Sequence, residues 1–438
     1  MKRYLRKKVL YLAFGIAQIF WFGGVLTAQT SSNGNTSVPP QTQVTGDIYG
    51  QINVIGDVDG DGVKDVIFGA TDGKVHIYSS ATGKEIVRPP YWPKQTGGPI
   101  LADVQVTSFC GGIDIIAASQ DGKVYCLDSL GKEKWVVDTR GKITISGAEL
   151  ADVEGNGKLE VLIGSESGKV FRIDAAGNPI WEVSTTGSVS GRIAARDLDG
   201  DGKKEIIFKG NDGKVTVLNH TGTARAGWPA NVAGNREWPF DVDAGDIDGD
   251  GVKEVFTTTP SGNFLIWNDK GKMVKNFSLP SGSHSAPILA DIDNTGTDEF
   301  VIAHYDGKVT ICDFTGKPKP GWPYDAGNHS IYAAPVIIDI DGDGKLDVVF
   351  TASNPSGSGQ MAGYVMALDS NGKPLKDFPK YVGRTVGRPT FADLDGDGKL
   401  EMIIGGGIGY TGKQLHIIPT EARTRFRMIS IYQETVYK

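Results

Sequence analysis

Residues 57–65 read Asp-Val-Asp-Gly-Asp-Gly-Val-Lys-Asp (DVDGDGVKD), and related stretches recur along the whole chain. The recurring stretches begin with Asp at positions 57, 103, 152, 197, 246, 291, 339 and 393, so their starts lie 45–54 residues apart. A regular period of this length is the signature of a repeat architecture in which each repeat is one supersecondary unit. Eight copies of a unit of about 48 residues therefore fill residues 47–438.

Each unit combines short β-type segments with tight turns. An apolar segment precedes the acidic stretch, as in 286–290 (APILA), and a second one follows it, as in 66–68 (VIF). An Asp-Gly turn then leads into an alternating segment such as 74–78 (KVHIY), which is a strong hairpin signal. A Gly-Lys turn leads to a fourth, weaker segment, which often ends in Trp. Four antiparallel strands in about 45–50 residues is the period of a β-propeller blade.

The fold class is therefore all-β, and eight blades are expected. No unit has helical periodicity, which excludes a helical solenoid. Seven blades with a detached remnant is the alternative, because the last unit lacks the usual Gly-Trp-Pro segment and Arg425 to Tyr437 would have to supply its fourth strand. The Trp residues of the fourth segments are expected to pack between blades: Trp135, Trp181, Trp228 and Trp322.

The composition excludes several classes of protein. Gly contributes 60 of 438 residues, about twice the usual share, which fits many tight turns. With 22% charged and 39% hydrophobic residues the chain is neither disordered nor a multi-span membrane protein. The net charge of −7 argues against a partner bound through nucleic-acid phosphates.

The N-terminus reads as a secretory signal. Five basic residues between Lys2 and Lys8 precede an apolar run from Val9 to Val25, and Ala28 offers a cleavage position. Residues 1–28 are thus a predicted signal peptide, 29–46 a polar linker and 47–438 the propeller. An uncleaved membrane anchor is the alternative; after cleavage no membrane span remains. We expect an exported monomer, either secreted, periplasmic or on the cell surface.

Cysteine usage adds no metal motif. Cys110, Cys126 and Cys312 have no metal-type spacing, and an odd count in an exported protein permits at most one internal bridge, Cys110 with Cys126. Cys126 and Cys312 are expected as small apolar residues on strands. The fold does not depend on disulfides.

The acidic loop has the chemistry of a calcium site. Its carboxylates fall at positions 1, 3, 5 and 9, and Gly at positions 4 and 6 allows the positive φ that tight winding needs. Such an oxygen cage suits a hard cation with six to eight ligands, which is Ca²⁺ rather than Zn²⁺. An EF-hand is excluded, since it needs Glu at position 12 and flanking helices, whereas here position 12 lies in a strand.

The loops differ in completeness, and between five and seven bound Ca²⁺ ions are expected. Five loops are complete: Asp57, Asp59, Asp61 and Asp65; Asp197, Asp199, Asp201 and Glu205; Asp246, Asp248, Asp250 and Glu254; Asp339, Asp341, Asp343 and Asp347; Asp393, Asp395, Asp397 and Glu401. A sixth keeps oxygen at each position (Asp152, Glu154, Asn156, Glu160), and a seventh has lost one carboxylate (Asp291, Asp293, Glu299). The unit that begins at Asp103 has Gln105 and Thr107 in place of acids and is expected to have lost its site.

These motifs carry a family resemblance. The repeated DxDGDGxx[DE], together with DGKV and GWP further on, resembles the FG-GAP/VCBS repeats of calcium-binding propellers, which include the integrin α-subunit head and many exported bacterial proteins. The resemblance covers residues 47–418. It implies a propeller whose loops between first and second strands bind Ca²⁺ on one rim. Residues 103–114 depart from this pattern, which puts a metal in that blade in doubt.

Candidate ligand-binding residues lie in the connections between repeats, on the side opposite to the acidic loops. They are Arg140, Lys142, Arg192, Arg236, Trp238, His284, His329, Tyr332, Arg384 and Arg388. Cationic and aromatic residues on one face of an acidic protein suit an acidic glycan or a carboxylate of a protein partner. No G-x-S-x-G, HExxH or P-loop is present in the sequence. A non-enzymatic binding or adhesion module is therefore the expected function, and a polysaccharide lyase the alternative.

Overall fold

A computed structural model describes residues 44–109, 112–145, 147–232, 241–354, 362–406 and 414–423. These residues form strands β1 to β31 and no helix. No helical segment in these ranges could therefore cross a lipid bilayer. The strands fall into eight antiparallel sheets in chain order, and each sheet is one blade of an eight-bladed propeller. This confirms the predicted fold class and the predicted number of blades, and the alternative of seven was wrong.

The first four blades each contain four strands. Blade 1 has β1 (Asn53–Gly56), β2 (Asp65–Gly69), β3 (Lys74–Tyr78) and β4 (Lys94–Gln95). Blade 2 has β5 (Gln105–Thr107), β6 (Asp114–Ala118), β7 (Lys123–Asp128) and β8 (Glu133–Asp138). Blade 3 has β9 (Glu149–Ala151), β10 (Glu160–Gly164), β11 (Lys169–Ile173) and β12 (Pro179–Ser184). Blade 4 has β13 (Ala194–Arg196), β14 (Glu205–Gly210), β15 (Lys214–Leu218) and β16 (Ala230–Asn231).

The last four blades follow the same order. Blade 5 has β17 (Val242–Gly245), β18 (Glu254–Thr258), β19 (Asn263–Trp267) and β20 (Met273–Ser278). Blade 6 has β21 (Ile288–Ala290), β22 (Glu299–Ala303), β23 (Lys308–Cys312) and β24 (Tyr324–Asp325). Blade 7 has β25 (Val336–Ile338), β26 (Asp347–Ser353), β27 (Gly363–Leu368) and β28 (Lys380–Tyr381). Blade 8 has β29 (Thr390–Ala392), β30 (Lys399–Gly406) and β31 (Gln414–Arg423).

The second strand of each blade lies in the core. β2, β10 and β22 are buried along their whole length, because each blade is covered on both faces by its neighbours. This explains why the second segments read as continuous apolar runs rather than as alternating ones. The third strands carry the two buried cysteines, Cys126 and Cys312, which form no disulfide. Cys110 lies outside the described residues.

The antiparallel order gives the ring two distinct faces. The loop from the first to the second strand and the turn from the third to the fourth strand lie on one side, here called the acidic face. The turn from the second to the third strand and the connection into the next blade lie on the other side, here called the connection face. The first strands of neighbouring blades contact one another, as β1 does with β5 and β13 with β17, so they surround the centre.

Tryptophan residues join neighbouring blades on the acidic face. Trp92 donates its Nε1–H to the carbonyl of Ser129, in the turn between the third and fourth strands of the next blade, at 3.1 Å. The same bond recurs at 2.9–3.1 Å from Trp135, Trp181, Trp228 and Trp322 to Ala175, His220, Asp269 and Ser370. The four tryptophans expected between blades therefore lie there, together with Trp92.

The ring closes through a backbone contact that the other blades also use. The Lys64 N–H of blade 1 donates to the Leu394 carbonyl of blade 8 at 3.0 Å. At the equivalent positions Lys204 donates to Val153 at 2.9 Å, and Lys253 to Leu198 at 3.3 Å. Apolar residues of blades 1, 7 and 8 also share one core cluster. Blades 8 and 1 are therefore neighbours in the same way as blades 3 and 4.

Blade 8 contributes three strands within the described residues. The expected fourth strand, Arg425 to Tyr437, lies outside them. Beside β31 there is a groove of about 810 Å³, lined by Leu375 and Phe378 of blade 7 and by Ile417 and Pro419 of β31. Phe378 takes the position that Trp322 has in blade 6, since each residue precedes the proline before its fourth strand.

A substitution of Gly131, which contacts Trp92, tests the packing between blades 1 and 2. Gly131 has φ of 84°, and a Cβ on it would lie 2.9 Å from the Trp92 ring. Gly131→Ala should therefore lower the free energy of unfolding by about 2–4 kcal/mol, through backbone strain and crowding together. The control is Gly327→Ala, where φ is 71° but no atom lies within 4 Å of a Cβ, with an expected loss of about 1–2 kcal/mol. If denaturant unfolding gave the same loss of unfolding free energy for both variants, the result would contradict a packing role for the contact between Gly131 and Trp92.

Candidate metal centres and the connection face

The complete acidic loops share one wound conformation. In blade 1, Asp57 accepts the Gly60 N–H at 2.6 Å with Oδ1 and the Gly62 N–H at 3.0 Å with Oδ2. Both glycines have φ near 90°, a conformation that other residues rarely adopt. The same two bonds form from Asp197, Asp246, Asp339 and Asp393 to their own glycines. The glycine spacing in the sequence is thus required by the backbone.

The acid at position 9 fastens the loop to the second strand. Asp65 Oδ2 accepts the Val58 N–H at 2.6 Å and the Asp59 N–H at 3.2 Å. In blades 4 to 8 the acid at position 9 likewise accepts the N–H of position 2, at 2.9–3.2 Å. The second oxygen, Asp65 Oδ1, is buried and has no hydrogen-bond partner. A buried carboxylate oxygen without a donor is the arrangement that a bound cation would satisfy.

The wound loops bring carboxylates together. Oxygens within 4.8 Å of one another come from these groups: Asp57, Asp59 and Asp61; Asp197, Asp199 and Glu205; Asp246, Asp248 and Asp250; Asp291, Asp293 and Glu299; Asp339, Asp341 and Asp347. The last loop, from Asp393 to Glu401, has the same backbone bonds. The incomplete loop of blade 6, at Asp291, therefore gathers its acids as the complete loops do.

Burial and mutual repulsion raise the pKa of the position-9 acid in four of these loops. Burial, reinforced by the neighbouring carboxylates of the loop, raises the pKa of Asp65 to about 6. The same causes raise the pKa of Glu254, Asp347 and Glu401 to about 7. Among the described residues no basic side chain lies within 4.0 Å of these four position-9 acids. We call the loops of blades 1, 5, 7 and 8 the open loops.

The loop of blade 3 is neutralised by a side chain of the protein itself. Arg172 on β11 is only 3% exposed and donates to both oxygens of Glu160, at 2.7 and 2.9 Å. It also donates to Glu154 at 2.8 Å and to the His220 carbonyl at 2.7 Å. Two of the predicted ligands of blade 3 are therefore already held by a guanidinium group.

Blades 4 and 6 use a basic residue in the same way. Arg225 lies 3.0 Å from Asp199 and 3.3 Å from Glu205. Lys319 lies 2.6 Å from Asp293 and 2.8 Å from Glu299. We call the loops of blades 3, 4 and 6 the paired loops.

A comparison of the repeats shows that the pairing residues of blades 4 and 6 occupy one position in the unit, whereas Arg172 of blade 3 lies on the third strand. The residue whose N–H bonds to the third strand is Arg225 in blade 4 and Lys319 in blade 6, and each bond is 2.9 Å long. The equivalent residue is Ile86 in blade 1 and Leu375 in blade 7, with bonds of 2.8 and 2.9 Å. At this position a basic side chain accompanies a paired loop, and an apolar one accompanies an open loop.

Blade 2, which departs from the acidic pattern, uses its acids elsewhere. Asp103 forms an ion pair with Arg192 of blade 4 and accepts the Gln51 N–H at 2.5 Å. Asp114, at the start of β6, accepts the Phe109 N–H at 2.8 Å and pairs with Lys134. The alignment of Asp103 with the residues that open the acidic loops was therefore wrong, because Asp103 precedes the first strand β5 and the loop of blade 2 follows Thr107.

The centre of the ring contains an ionic group that the sequence reading missed. Arg196 on β13 contacts Asp243 on β17 through two bonds of 2.9 and 3.1 Å, and lies 3.9 Å from Glu149 on β9. Burial raises the pKa of Glu149 to about 7, although Arg196 opposes this shift. The signal was available, because these first strands contain charged residues where blades 6 and 7 have only apolar ones.

The structure does not gather the predicted cationic residues into one site. Arg140 pairs with Glu182 and lies 5.8 Å above the Phe171 ring, while Lys142 is exposed nearby. Arg192 faces the centre, and Arg388 is buried. Arg384 lies in the connection between blades 7 and 8. Arg236 and Trp238 lie outside the described residues.

Two of the predicted aromatic residues, His284 and Tyr332, come together. His284 and Tyr332 lie on the connection face with ring centroids 5.7 Å apart. Tyr305, in the turn between β22 and β23, completes this group with its hydroxyl 2.9 Å from His284 Nδ1. His329 lies against Tyr364 of β27, with centroids 5.4 Å apart. Tyr305 and Tyr364 were not predicted as site residues.

Comparisons with known proteins agree with this architecture. The chain is similar to BamB from Moraxella catarrhalis, with 18% identity, a TM-score of 0.54, and coverage of 86% of this chain and 99% of that one. It is also similar to the computationally designed Ika8 protein, with 16% identity, a TM-score of 0.55, and coverage of 85% and 97%. These likenesses support the fold alone. Among curated proteins none matches the sequence.

A family model for FG-GAP-like repeats matches four overlapping segments, at residues 197–257, 246–302, 291–350 and 339–404. Each segment runs from the acidic loop of one blade to the second strand of the next. The matched region thus begins and ends at the loop and strand that define the repeat. Residues 197–404 of this chain therefore contain four FG-GAP-like repeats, which is consistent with the FG-GAP repeat family.

Proposed function

We propose that this protein is an exported, calcium-stabilised propeller that acts as a non-enzymatic binding module for a glycan or an extracellular protein. The observation that carries the metal part of this proposal is the buried Asp65 Oδ1, which has no donor in a loop of converging carboxylates. The binding part is supported by the group of His and Tyr side chains on the connection face. Export is supported by the basic and apolar segments of residues 1–28.

The proposed metal is Ca²⁺, and the open loops are its sites. Carboxylate and backbone oxygens are the ligands of a hard cation, and a flexible oxygen cage favours Ca²⁺ over Mg²⁺. Asp57, Asp59, Asp61 and Asp65 would hold the ion in blade 1, and the matching residues would do so in blades 5, 7 and 8. The paired loops already contain a cationic side chain, so the proposal is four ions rather than five to seven.

Calcium removal gives the first test of this proposal. At a free Ca²⁺ concentration about 100 times Kd, each site stabilises the fold by about 2.7 kcal/mol, so four sites would together contribute roughly 11 kcal/mol. Thermal unfolding should therefore shift to a markedly lower temperature in excess chelator and recover when Ca²⁺ is added back. Elemental analysis of the dialysed protein should give four calcium ions per chain. An unchanged melting temperature would contradict the proposal.

Arg225→Ile gives a second test, because it installs the residue that blade 1 has at the same position. Loss of the partly buried pair with Asp199 and Glu205 should destabilise the chelated protein by about 3 kcal/mol. The freed loop retains all four acids, so the variant should bind five calcium ions, and Ca²⁺ should restore most of the lost stability.

The control for Arg225→Ile is Arg140→Ala, which removes an exposed ion pair on the opposite face. It should change neither the calcium count nor the response to chelator. A calcium count that stays at four in the Arg225→Ile variant would show that Arg225 does not exclude an ion from blade 4.

The alternative function, polysaccharide cleavage, is favoured by one contact. The Tyr305 hydroxyl lies 2.9 Å from His284 Nδ1, and burial lowers the pKa of His284 to about 4, so this imidazole is neutral near pH 7. A hydrogen-bonded pair of this kind can exchange a proton with a substrate. Incubation of the purified protein with uronic-acid polysaccharides distinguishes the two functions: unsaturated products that absorb in the ultraviolet would replace the binding module by a lyase, and retention on an immobilised glycan without product supports binding.

A further inference from the structure

Blade 7 differs from the other blades at the end of its outer hairpin. In blades 1 to 6 the first residue of the third strand faces a polar residue of the fourth strand. The pairs are Lys74–Gln95, Lys123–Asp138, Lys169–Ser184, Lys214–Asn231, Asn263–Ser278 and Lys308–Asp325. In blade 7 the equivalent pair is Tyr364–Tyr381, with ring centroids 5.5 Å apart. Two aromatic residues thus stand where the repeat has polar ones.

The tyrosine pair is not needed to build the blade. Tyr381 is 56% exposed, whereas residues that stabilise a core are buried. Six blades form the same hairpin end with polar side chains, so the fold does not require aromatic residues here. A half-buried Tyr364 beside an exposed Tyr381, at a position that is otherwise polar, favours contact with something outside the chain.

The pair continues into a larger aromatic surface along the connection face. His329 lies on Tyr364, and three residues later Tyr332 lies on His284, which in turn contacts Tyr305. The aliphatic residue between them, Ile331, is buried at 1% exposure. We call these six residues the aromatic surface: His284, Tyr305, His329, Tyr332, Tyr364 and Tyr381.

Tyr305 is a second departure from the repeat. The residue before the Asp-Gly turn is Thr71 in blade 1, Gln120 in blade 2 and Asn211 in blade 4, and in blade 6 it is Tyr305. Aromatic replacements in two neighbouring blades therefore lie on the same face, and the connection that carries His329 and Tyr332 contacts both of them through its rings or those of His284. Two independent substitutions on one face, served by one connection, favour a shared role.

Two lysines lie beside the aromatic surface, Lys308 on β23 and Lys380 on β28. Lys308 lies 2.5 Å from Asp306, and Lys380 lies 5.1 Å above the Phe378 ring. The lowered pKa of His284 keeps its imidazole neutral. Among these groups only Lys380 keeps a positive charge without an acidic partner, so a polyanionic ligand would find little matching charge. Tyrosine and histidine rings instead offer apolar faces together with hydroxyl and nitrogen groups at the ring edge.

We propose that the aromatic surface binds a neutral glycan, with sugar rings stacked on the tyrosines of blades 6 and 7. A pyranose ring has C–H faces that pack against an aromatic ring and hydroxyls that bond to tyrosine and histidine, which matches both features of this surface. This assignment rests on the proposed function and selects the neutral glycans from the partners considered there.

The test is affinity electrophoresis of the calcium-loaded full chain in gels that contain laminarin, xylan, galactomannan or dextran, with polygalacturonate as the acidic comparison. The variant Tyr364→Lys/Tyr381→Gln installs the pair of blade 1, so it is expected to fold. The matched control is Phe314→Ser, which removes a 42% exposed ring in the turn after β23, on the acidic face of blade 6. Melting curves in Ca²⁺ establish that both variants are folded.

We expect at least one neutral polysaccharide to retard the wild-type protein, with affinity reduced about tenfold or more in the double variant and unchanged in Phe314→Ser. Absence of retardation by all four neutral polysaccharides, or equal retardation of the double variant, would overturn the assignment. Retardation by polygalacturonate alone would also overturn it, while leaving the chain a glycan-binding module. The lyase assay decides separately on the proposed function.

Discussion

The structure depends on neutralising the carboxylates of its acidic loops. At an effective dielectric constant of about 20, two unit charges 4 Å apart repel by roughly 4 kcal/mol, and each of these loops brings three or four acids together. Asp65 shows why they cannot simply turn to solvent, because one of its oxygens is bonded to the backbone of the loop and the other is buried. A positive charge at the loop relieves this repulsion, and a basic side chain of the protein supplies one in blades 3, 4 and 6.

The loops also join neighbouring blades. The residue before the position-9 acid donates its N–H to the preceding blade, as Lys64 does to Leu394 and Lys204 does to Val153. A loop that unwinds would lose this bond as well as its own. Blades 7, 8 and 1 are consecutive and all have open loops, whereas blades 3 and 4 are both paired. If Ca²⁺ occupies the open loops as proposed, the junction that closes the ring is the part of the molecule where stability depends most on bound cations.

The eight-bladed architecture could be predicted from the sequence because the repeat period and the Asp-Gly turns are local patterns. It could not show how the ring closes, since the contact from Lys64 to Leu394 joins residues 330 positions apart. Arg172 was missed, although it stands where the other third strands have an apolar residue, such as Ile77, Val217 or Ile311. Arg192 was grouped with surface cations, but its partner Asp103 belongs to a blade two positions away. Such pairings follow from the closed ring and not from spacing along the chain.

The repeats themselves indicate which departures carry function. A residue that six blades replace by something else cannot be required by the blade, so its presence in one blade needs another cause. Arg172 has such a cause within the chain, because it is 3% exposed and all its described contacts lie in the acidic loop and the adjacent turn. Tyr381, by contrast, is 56% exposed and contacts Tyr364, which is itself a departure from the repeat. Arg172 therefore adapts the scaffold, whereas Tyr381 lies exposed on the connection face, where we propose that a glycan binds.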